Sequence, residues 1–560
     1  MAEKTVIYQV LPRLYGNRNR NPRPRGTKRE NGCGKFSSFT CKRLGEIKSL
    51  GATHIWYTGV LEHATGTDYS RWGIAGDNPL LVKGLAGSPY AIKDYYDVDP
   101  DLADSVDDRR HEFQLLVART HRCGLKVIVD FVPNHVARQY HSDAAPAGVG
   151  DFGQNDDVTK CFSPQNNFYY IENSTFAAPR AGEGQAQYSE SPARATGNDC
   201  FRANPGEFDW YDTVKLNYGV DYMAGGARHF EPVPDTWKRM HAILAWWCAM
   251  GVDAFRCDMS EMVPVEFWHW ATARIKRDYP HVEFIAEIYN PAVYESYVNY
   301  GGFDYLYDKV GLYDKLRSVV TGKCPAYEIQ RSWQSLGSLQ PHMLNFLENH
   351  DEQRLASDFF AGDARKGRAP MAVAALMNTN PVMVYFGQEY GERGMDAEGY
   401  SGTDGRTSIY DYWSVEKIRK ALFAPGELAA EDLELRDFYA RLLGGACQCK
   451  AVAEGKFFDL TYCNLDDWAR YPADRMYSFL RKAGDELLLV AANFSAAPVT
   501  AYVRIPQHAF DYLEIAPDTY KCCDLLARDD NEGSAHLAAE GKVRVSVEPW
   551  GAVALRFFKQ

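Results

Sequence analysis

Short apolar runs alternate with amphipathic stretches over roughly the first 450 residues. The runs at 6–11, 54–57, 126–131, 253–257, 283–286, 303–306, 343–347 and 382–386 have the length and near-continuous hydrophobicity of strands buried on both faces, as parallel strands are. Between them lie helical faces. Phe39, Leu44, Ile47 and Leu50 share one that stops at Gly51, and the stretch 109–123 stops at Gly124, glycine being the residue that most easily ends a helix in the left-handed conformation. Asp235 is expected to cap a helix over 237–250 that Gly251 ends. Eight strands with helices between them predict an α/β fold of the (β/α)8 TIM-barrel type. An open doubly wound sheet would show a Gly-rich phosphate loop after its first strand, and Pro12-Arg13-Leu14 stands there instead.

Two segments break this rhythm. Residues 136–221 are rich in Gly, Pro, Asn, Asp and aromatics without helical period, too long for a plain loop, which predicts an irregular inserted domain after the third strand. Beyond Phe457 the pattern becomes one of strands, among them 486–492, 499–505 and 543–547, which predicts a C-terminal antiparallel β-sandwich domain. The expected division is a barrel over 1–135 and 222–455, an insertion over 136–221 and a β-domain over 456–560.

Composition narrows the class. Hydrophobic residues at 46% and charged residues at 24% are those of a folded globular chain and exclude a disordered or collagenous one. A formal net charge of −12 repels phosphate polyanions, so nucleic acid is not an expected partner. Aromatics at 13%, with 35 Tyr and 12 Trp, suit a flat ligand such as a sugar. Thirteen cysteines cannot all pair and show no zinc-type spacing, so reduced thiols are expected, with Cys248 and Cys257 as inert core residues. The start, Met1 to Leu11, carries no signal-peptide pattern, and the most apolar helical stretch, 242–250, is too short to cross a bilayer. A cytoplasmic protein with no membrane partner is the expectation; the pattern sets no oligomeric state. The basic run 18–29 is interleaved with Asn, Pro and Gly and reads as a solvated loop.

Candidate chemistry sits at strand ends. In Val252-Asp253-Ala254-Phe255-Arg256-Cys257-Asp258, alternation puts Arg256 and Asp258 on one face, pointing into the barrel at its C-terminal rim. The guanidinium is expected to keep Asp258 ionised, although taken alone the pair also fits a buried structural ion pair. Glu287 follows an apolar strand, where partial burial would raise its pKa and suit it to proton donation. Asn349-His350-Asp351 follows another, and Asp130, Asn134 and His135 close the third. Three strands bringing Asp258, Glu287 and Asp351 to one rim are hard to explain as a device for stability, since clustered carboxylates repel.

Taken together these segments resemble the alpha-amylase family, glycoside hydrolase family thirteen. Its Asp…Asn-His motif is matched by Asp130, Asn134 and His135, and its Gly-x-Asp-x-x-Arg-x-Asp motif by Gly251, Asp253, Arg256 and Asp258. The Glu after an apolar strand falls on Glu287, and the Asn-His-Asp motif on Asn349, His350 and Asp351. Ile7-Tyr8-Gln9-Val10, Tyr90 with Asp94-Tyr95, and Gly387-Gln388-Glu389-Tyr390-Gly391 agree as well, so the resemblance covers residues 6 to about 450.

The resemblance implies a retaining α-glucan hydrolase acting on starch, glycogen or maltooligosaccharides. Asp258 would be its nucleophile, Glu287 its acid and base, and Asp351 the carboxylate that binds and distorts the sugar. It implies substrate contacts from Tyr90, Asp94, His135, Arg256 and His350. On the acceptor side the family's Lys-His pair after the nucleophile is replaced by Glu261-Met262, which leaves a transglycosylase or isomerase of the same family as the alternative. A catalytically inactive carbohydrate-binding homologue is a second alternative, opposed by the intact three acids. The resemblance also implies calcium as the one cofactor, with no organic cofactor: Asn134 would be a ligand, completed by oxygens such as those of Asp209, Asp212 or Asn217.

Overall fold

The structure is a computed structural model that describes residues 3–179, 187–394, 403–529 and 532–558. Its eight apolar runs form β1 (Val6–Val10), β2 (His54–Tyr57), β3 (Lys126–Phe131), β4 (Ala254–Cys257), β5 (Glu283–Ala286), β6 (Tyr305–Tyr307), β7 (Met343–Phe346) and β8 (Val382–Tyr385). They close into a barrel in which neighbours in sequence are neighbours in space and every pair is parallel; β1 seals it by pairing with β8, Val6 beside Val382 and Gln9 beside Tyr385. Every residue of β1, β2, β4, β7 and β8 is buried, one side chain entering the barrel and the next packing under a helix.

Among the surrounding helices are α1 (Cys41–Lys48), α2 (Arg109–Arg122), α3 (Asp235–Ala249) and α4 (Val265–Asp278). Thr40 caps α1 by accepting from the Arg43 amide, and Leu44 and Ile47 are its buried face. Gly51 then turns the chain at φ +94°, where an added Cβ would stand 2.6 Å from the backbone nitrogen of Gly444. Two sequence expectations need correction. Asp235 does not cap α3 but is its first residue, after Pro234; its carboxylate accepts from the Asn167 amide at 3.1 Å and pairs with Arg239 one turn on. The sixth strand begins two residues late, at Tyr305, because the Phe303 amide is still bonded to the Tyr297 carbonyl at the end of the preceding helix.

After β3 the chain leaves the barrel as His135–Ala137, which pairs antiparallel with Thr213–Lys215 on its return. Between 138 and 212, among the described residues, there are only short strands and turns and no helix. The C-terminal part holds a six-stranded antiparallel sheet and a two-stranded one around a shared core of Leu480, Leu489, Val503, Val545 and Phe557. None of the thirteen cysteines is in a disulfide, and burial pushes the Cys248 thiol up to about 12 and that of Cys257 well above its ordinary value. Among the described residues no helix is long and apolar enough to cross a membrane.

Candidate active site

The site is assembled at the C-terminal ends of β3, β4, β5 and β7. Two backbone bonds extend the barrel ladder past the strands: the Asp258 amide donates to the Phe131 carbonyl at 2.8 Å and the Glu287 amide to the Cys257 carbonyl at 3.0 Å. Both acids therefore stand on a rigid edge rather than a free loop. Arg256, 1% exposed, lies beneath them. Its Nη1 is 2.7 Å from Asp258 Oδ1 and 3.8 Å from Asp130 Oδ1, and its Nη2 is 2.7 Å from Glu287 Oε2. Nε donates to the Tyr307 hydroxyl at 3.1 Å. One guanidinium thus carries two carboxylates on its two terminal nitrogens.

Glu287 has two further donors, the Tyr289 hydroxyl at 2.6 Å to Oε1 and the Met259 amide at 2.9 Å to Oε2. Met259 donates from a left-handed backbone, φ +43° and ψ 44°, a conformation that costs a β-carbon residue on the order of 1 kcal/mol and that collects at functional sites. Opposite, Asn349 Oδ1 accepts from the amides of Asp351 and Glu352, both at 2.9 Å, and fixes the turn after β7. His350 Nδ1 accepts from the Gln9 side-chain amide at 2.8 Å, which leaves the proton on Nε2. Nε2 faces Asp351 Oδ2 at 3.0 Å and the Tyr90 hydroxyl at 2.5 Å. Tyr90, His135, Asp258, Glu287 and Asp351 all line one open cavity of about 220 Å³.

Electrostatics follow from burial and crowding. Burial raises Asp258 above the ordinary carboxylate range even though Arg256 pulls it down; the attraction expected from the sequence is present, and desolvation outweighs it. Glu287 is raised by burial and by Asp258, against the pull of Arg256. Asp351 faces the cavity among protein groups, and desolvation, then Glu287, push it up to about 8. Burial holds His135 down at about 4 and His350 well below its usual value, so both imidazoles are neutral at pH 7 and each can donate one hydrogen bond.

Not every residue expected at the site is there. Asp94 is fully buried and away from the cavity, its oxygens accepting from the Tyr96 and Ala144 amides at 2.7 and 3.1 Å. Glu261 turns aside to accept from the Tyr289 and Asn290 amides, both at 3.2 Å, and neither it nor Met262 lines the cavity; Met259 does. The surroundings of Asn134 do not fit a calcium ion. A buried ammonium is in place, Lys215 Nζ donating to Asn134 Oδ1 at 2.9 Å and pairing with Asp199 Oδ1 at 2.5 Å. Asp209 and Asn217 are bonded elsewhere, and Asp212 pairs with Lys83 Nζ at 2.9 Å in the cavity wall. Sequence reasoning missed Tyr289, Tyr307, Lys83 and Trp210. Only the first two carry a sequence signal, as tyrosines at or just after the ends of barrel strands.

The family pattern described as "Alpha amylase, catalytic domain" matches residues 14–424. Neopullulanase 2 of Thermoactinomyces vulgaris is 21% identical over 520 residues, 90% of this chain and 72% of that protein. Alpha-amylase MalA of Haloarcula japonica is 23% identical, over 89% of this chain and 56% of its own. The alpha-1,4-glucan:maltose-1-phosphate maltosyltransferase of Picrophilus torridus is also 23% identical, over 90% of this chain and 62% of its own. The chain thus spans only part of these relatives. Among solved structures, the fold matches a maltogenic alpha-amylase, AmyB, of Thermotoga neapolitana with a TM-score of 0.61 at 19% identity, covering 99% of both chains. It matches an alpha-amylase of Geobacillus thermoleovorans complexed with acarbose with a TM-score of 0.63 at 16% identity, covering 100% of this chain and 98% of that one. With the family pattern spanning seven of the eight barrel strands and four strand ends meeting in one acid-lined cavity, the chain belongs to the alpha-amylase family of glycoside hydrolases.

Proposed function

We propose that this protein is a retaining hydrolase of α-glucosidic bonds, α-1,4 bonds in maltooligosaccharides, starch or glycogen being its substrate class. The observation that carries the reading is Arg256 holding Asp258 and Glu287 at 2.7 Å on two nitrogens of one guanidinium. The two side chains also share a hydrogen bond, which leaves little room between the carboxyls. Retaining glycosidases place their pair about 5 Å apart; a gap of about 6.5–9.5 Å would admit a water and invert the product. Asp258 attacks the anomeric carbon while Glu287 gives its proton to the departing glycosidic oxygen. The covalent glycosyl-enzyme is then opened by water, which passes its proton back to Glu287. Asp351, steadied by the Nε2–H of His350 at 3.0 Å, holds hydroxyls of the sugar being cleaved, and Tyr90 packs on its apolar face.

Names among the relatives support the substrate class and cover both outcomes of the intermediate, since alpha-amylases and a maltosyltransferase are among them. Hydrolysis is the reading taken here. The test digests maltoheptaose and follows it by proton NMR within minutes, with chromatography of all products. Shorter oligosaccharides whose new reducing ends appear first as the α anomer are expected. A β anomer appearing first overturns the nucleophile assignment, and products longer than the substrate at every stage overturn hydrolysis in favour of transfer.

A further inference from the structure

Behind the active site a second acidic group stands apart from the reaction. After β2 the chain forms Leu61–His63, which pairs antiparallel with Ile92–Val98, the strand that follows Tyr90. Glu62 and Asp97 come from these two strands, and Asp143 from the loop that opens the inserted segment. One oxygen from each of the three carboxylates lies within 4.8 Å of the others. That is the widest span two ligands can have on one cation with bonds of about 2.4 Å. Glu62 is only 1% exposed, and neither of its carboxylate oxygens has a hydrogen-bond partner. A buried carboxyl with both oxygens unsatisfied is costly and rare.

We propose that Glu62, Asp97 and Asp143 bind a calcium ion, at a place distinct from Asn134. Charge fits a cation: Glu62 faces Asp94 as well as Asp97 and Asp143, and Arg109, which pairs with Asp97 and stands 3.5 Å from Asp143, and Lys93, which pairs with Asp77, leave the carboxylates in excess. Chemistry selects a hard ion, because all the donors are carboxylate oxygens and no His or Cys takes part. Calcium is favoured over magnesium because it accepts irregular sets of six to eight oxygens, whereas magnesium demands a near-ideal octahedron with shorter bonds. The side chain of Asp143 is 22% exposed, which leaves an open side for entry and for water ligands. Ala144, next along, already donates to Asp94 at 3.1 Å, so the loop is held against the strand before any ion arrives. A bound ion would join the inserted segment to the strand that runs on from Tyr90.

The experiment is equilibrium dialysis of the chelator-treated full chain against radioactive calcium. The unmodified protein should bind one calcium per chain, and Glu62→Gln and Asp143→Asn should each weaken that binding at least tenfold while Asn134→Ala leaves it unchanged. Circular dichroism checks that each variant is folded, and Asp143→Asn, at a partly exposed loop position, carries the test if Glu62→Gln does not fold. No binding at millimolar calcium, binding unaltered in the first two variants, or binding lost in Asn134→Ala overturns the assignment. Because binding alone is read, the result is independent of whether the protein hydrolyses or transfers glucan.

Discussion

Replacing Arg256 should displace the whole pH profile of the reaction, and the structure gives the size and the sign. Two carboxylates lie at 2.7 Å from its terminal nitrogens, and the residue is 1% exposed, so solvent does little to screen them. For charge centres about 4 Å apart at an effective dielectric constant of 20, each pair is worth about 4 kcal/mol, or at most about three pKa units. Reorganisation and water entry lower that figure, and about one to two units is expected in Arg256→Gln. The guanidinium favours the ionised form of both acids, so its loss raises both. The acid limb of kcat/KM, which reports ionisation of the nucleophile in the free enzyme, moves to higher pH, and so does the basic limb set by loss of the donor's proton. Because the acids interact, the limbs belong to the pair rather than to either residue. Arg256→Lys keeps a charge but not the fork that serves both carboxyls, so its displacement should be intermediate. The assay is kcat/KM on an aryl α-maltoside from pH 4 to 9, with circular dichroism to confirm folding. Limbs that stay in place in an active Arg256→Gln enzyme, or move to lower pH, would refute the argument that Arg256 sets the ionisation of the site.

Two further predictions concern single carboxyls. Glu287→Gln should lower glucan hydrolysis by at least about a hundredfold while sparing an aryl glycoside whose leaving group needs no proton; equal losses on both substrates in steady-state assays would count against Glu287 as the donor. Asp308 is 2% exposed, and burial pushes it up to about 7. The folded protein therefore holds a proton there between about pH 4 and 7 that the unfolded chain has released, so this group's contribution to stability is full below pH 4 and fades as pH rises to 7. Asp308→Asn should be more stable relative to the unmodified protein at pH 8 than at pH 4.5, by up to about 3 kcal/mol. Denaturant unfolding at both pH values reads this, and a difference that does not change with pH would show that the Asp308 proton has no part in it.

The barrel was legible because a parallel strand buried on both faces leaves a continuous apolar run, and all eight runs recur within a few residues of their expected bounds. The same alternation placed Arg256 and Asp258 inward, and the family motifs named Glu287 and Asp351, which the fold brings to one cavity. What the sequence concealed depends on distant partners. Asn134 looks like a metal ligand until Lys215, 81 residues away, is seen to occupy its oxygen. Asp94 lies in a motif next to Tyr90 yet turns away to hold two backbone amides, and Glu261 does the same for the turn after β5. Polar residues at a rim have several amides within reach, and which one they take is decided by loop geometry that no periodicity encodes.

Three acids and one arginine also determine where a proton rests. Asp258, Glu287 and Asp351 are all raised by desolvation, and Arg256 opposes the rise in all three. Carboxylates so crowded cannot all ionise near neutrality, so the group keeps a proton while at least one member stays charged. In the free protein that proton is drawn most strongly to Asp351, the acid pushed up to about 8. The proposed reaction needs it on Glu287. In the proposed reaction, sugar hydroxyls donating to Asp351 would stabilise its ionised form, and a glycosidic oxygen against Glu287, which can only accept, would favour the protonated acid there, so substrate binding is expected to move the proton from Asp351 to Glu287. On this account Asp351 takes part in catalysis through its charge as well as its hydrogen bonds. A ligand too short to reach the oxygen at Glu287 would empty Asp351 of its proton without arming the donor, which is why binding and turnover are expected to separate on the shortest sugars.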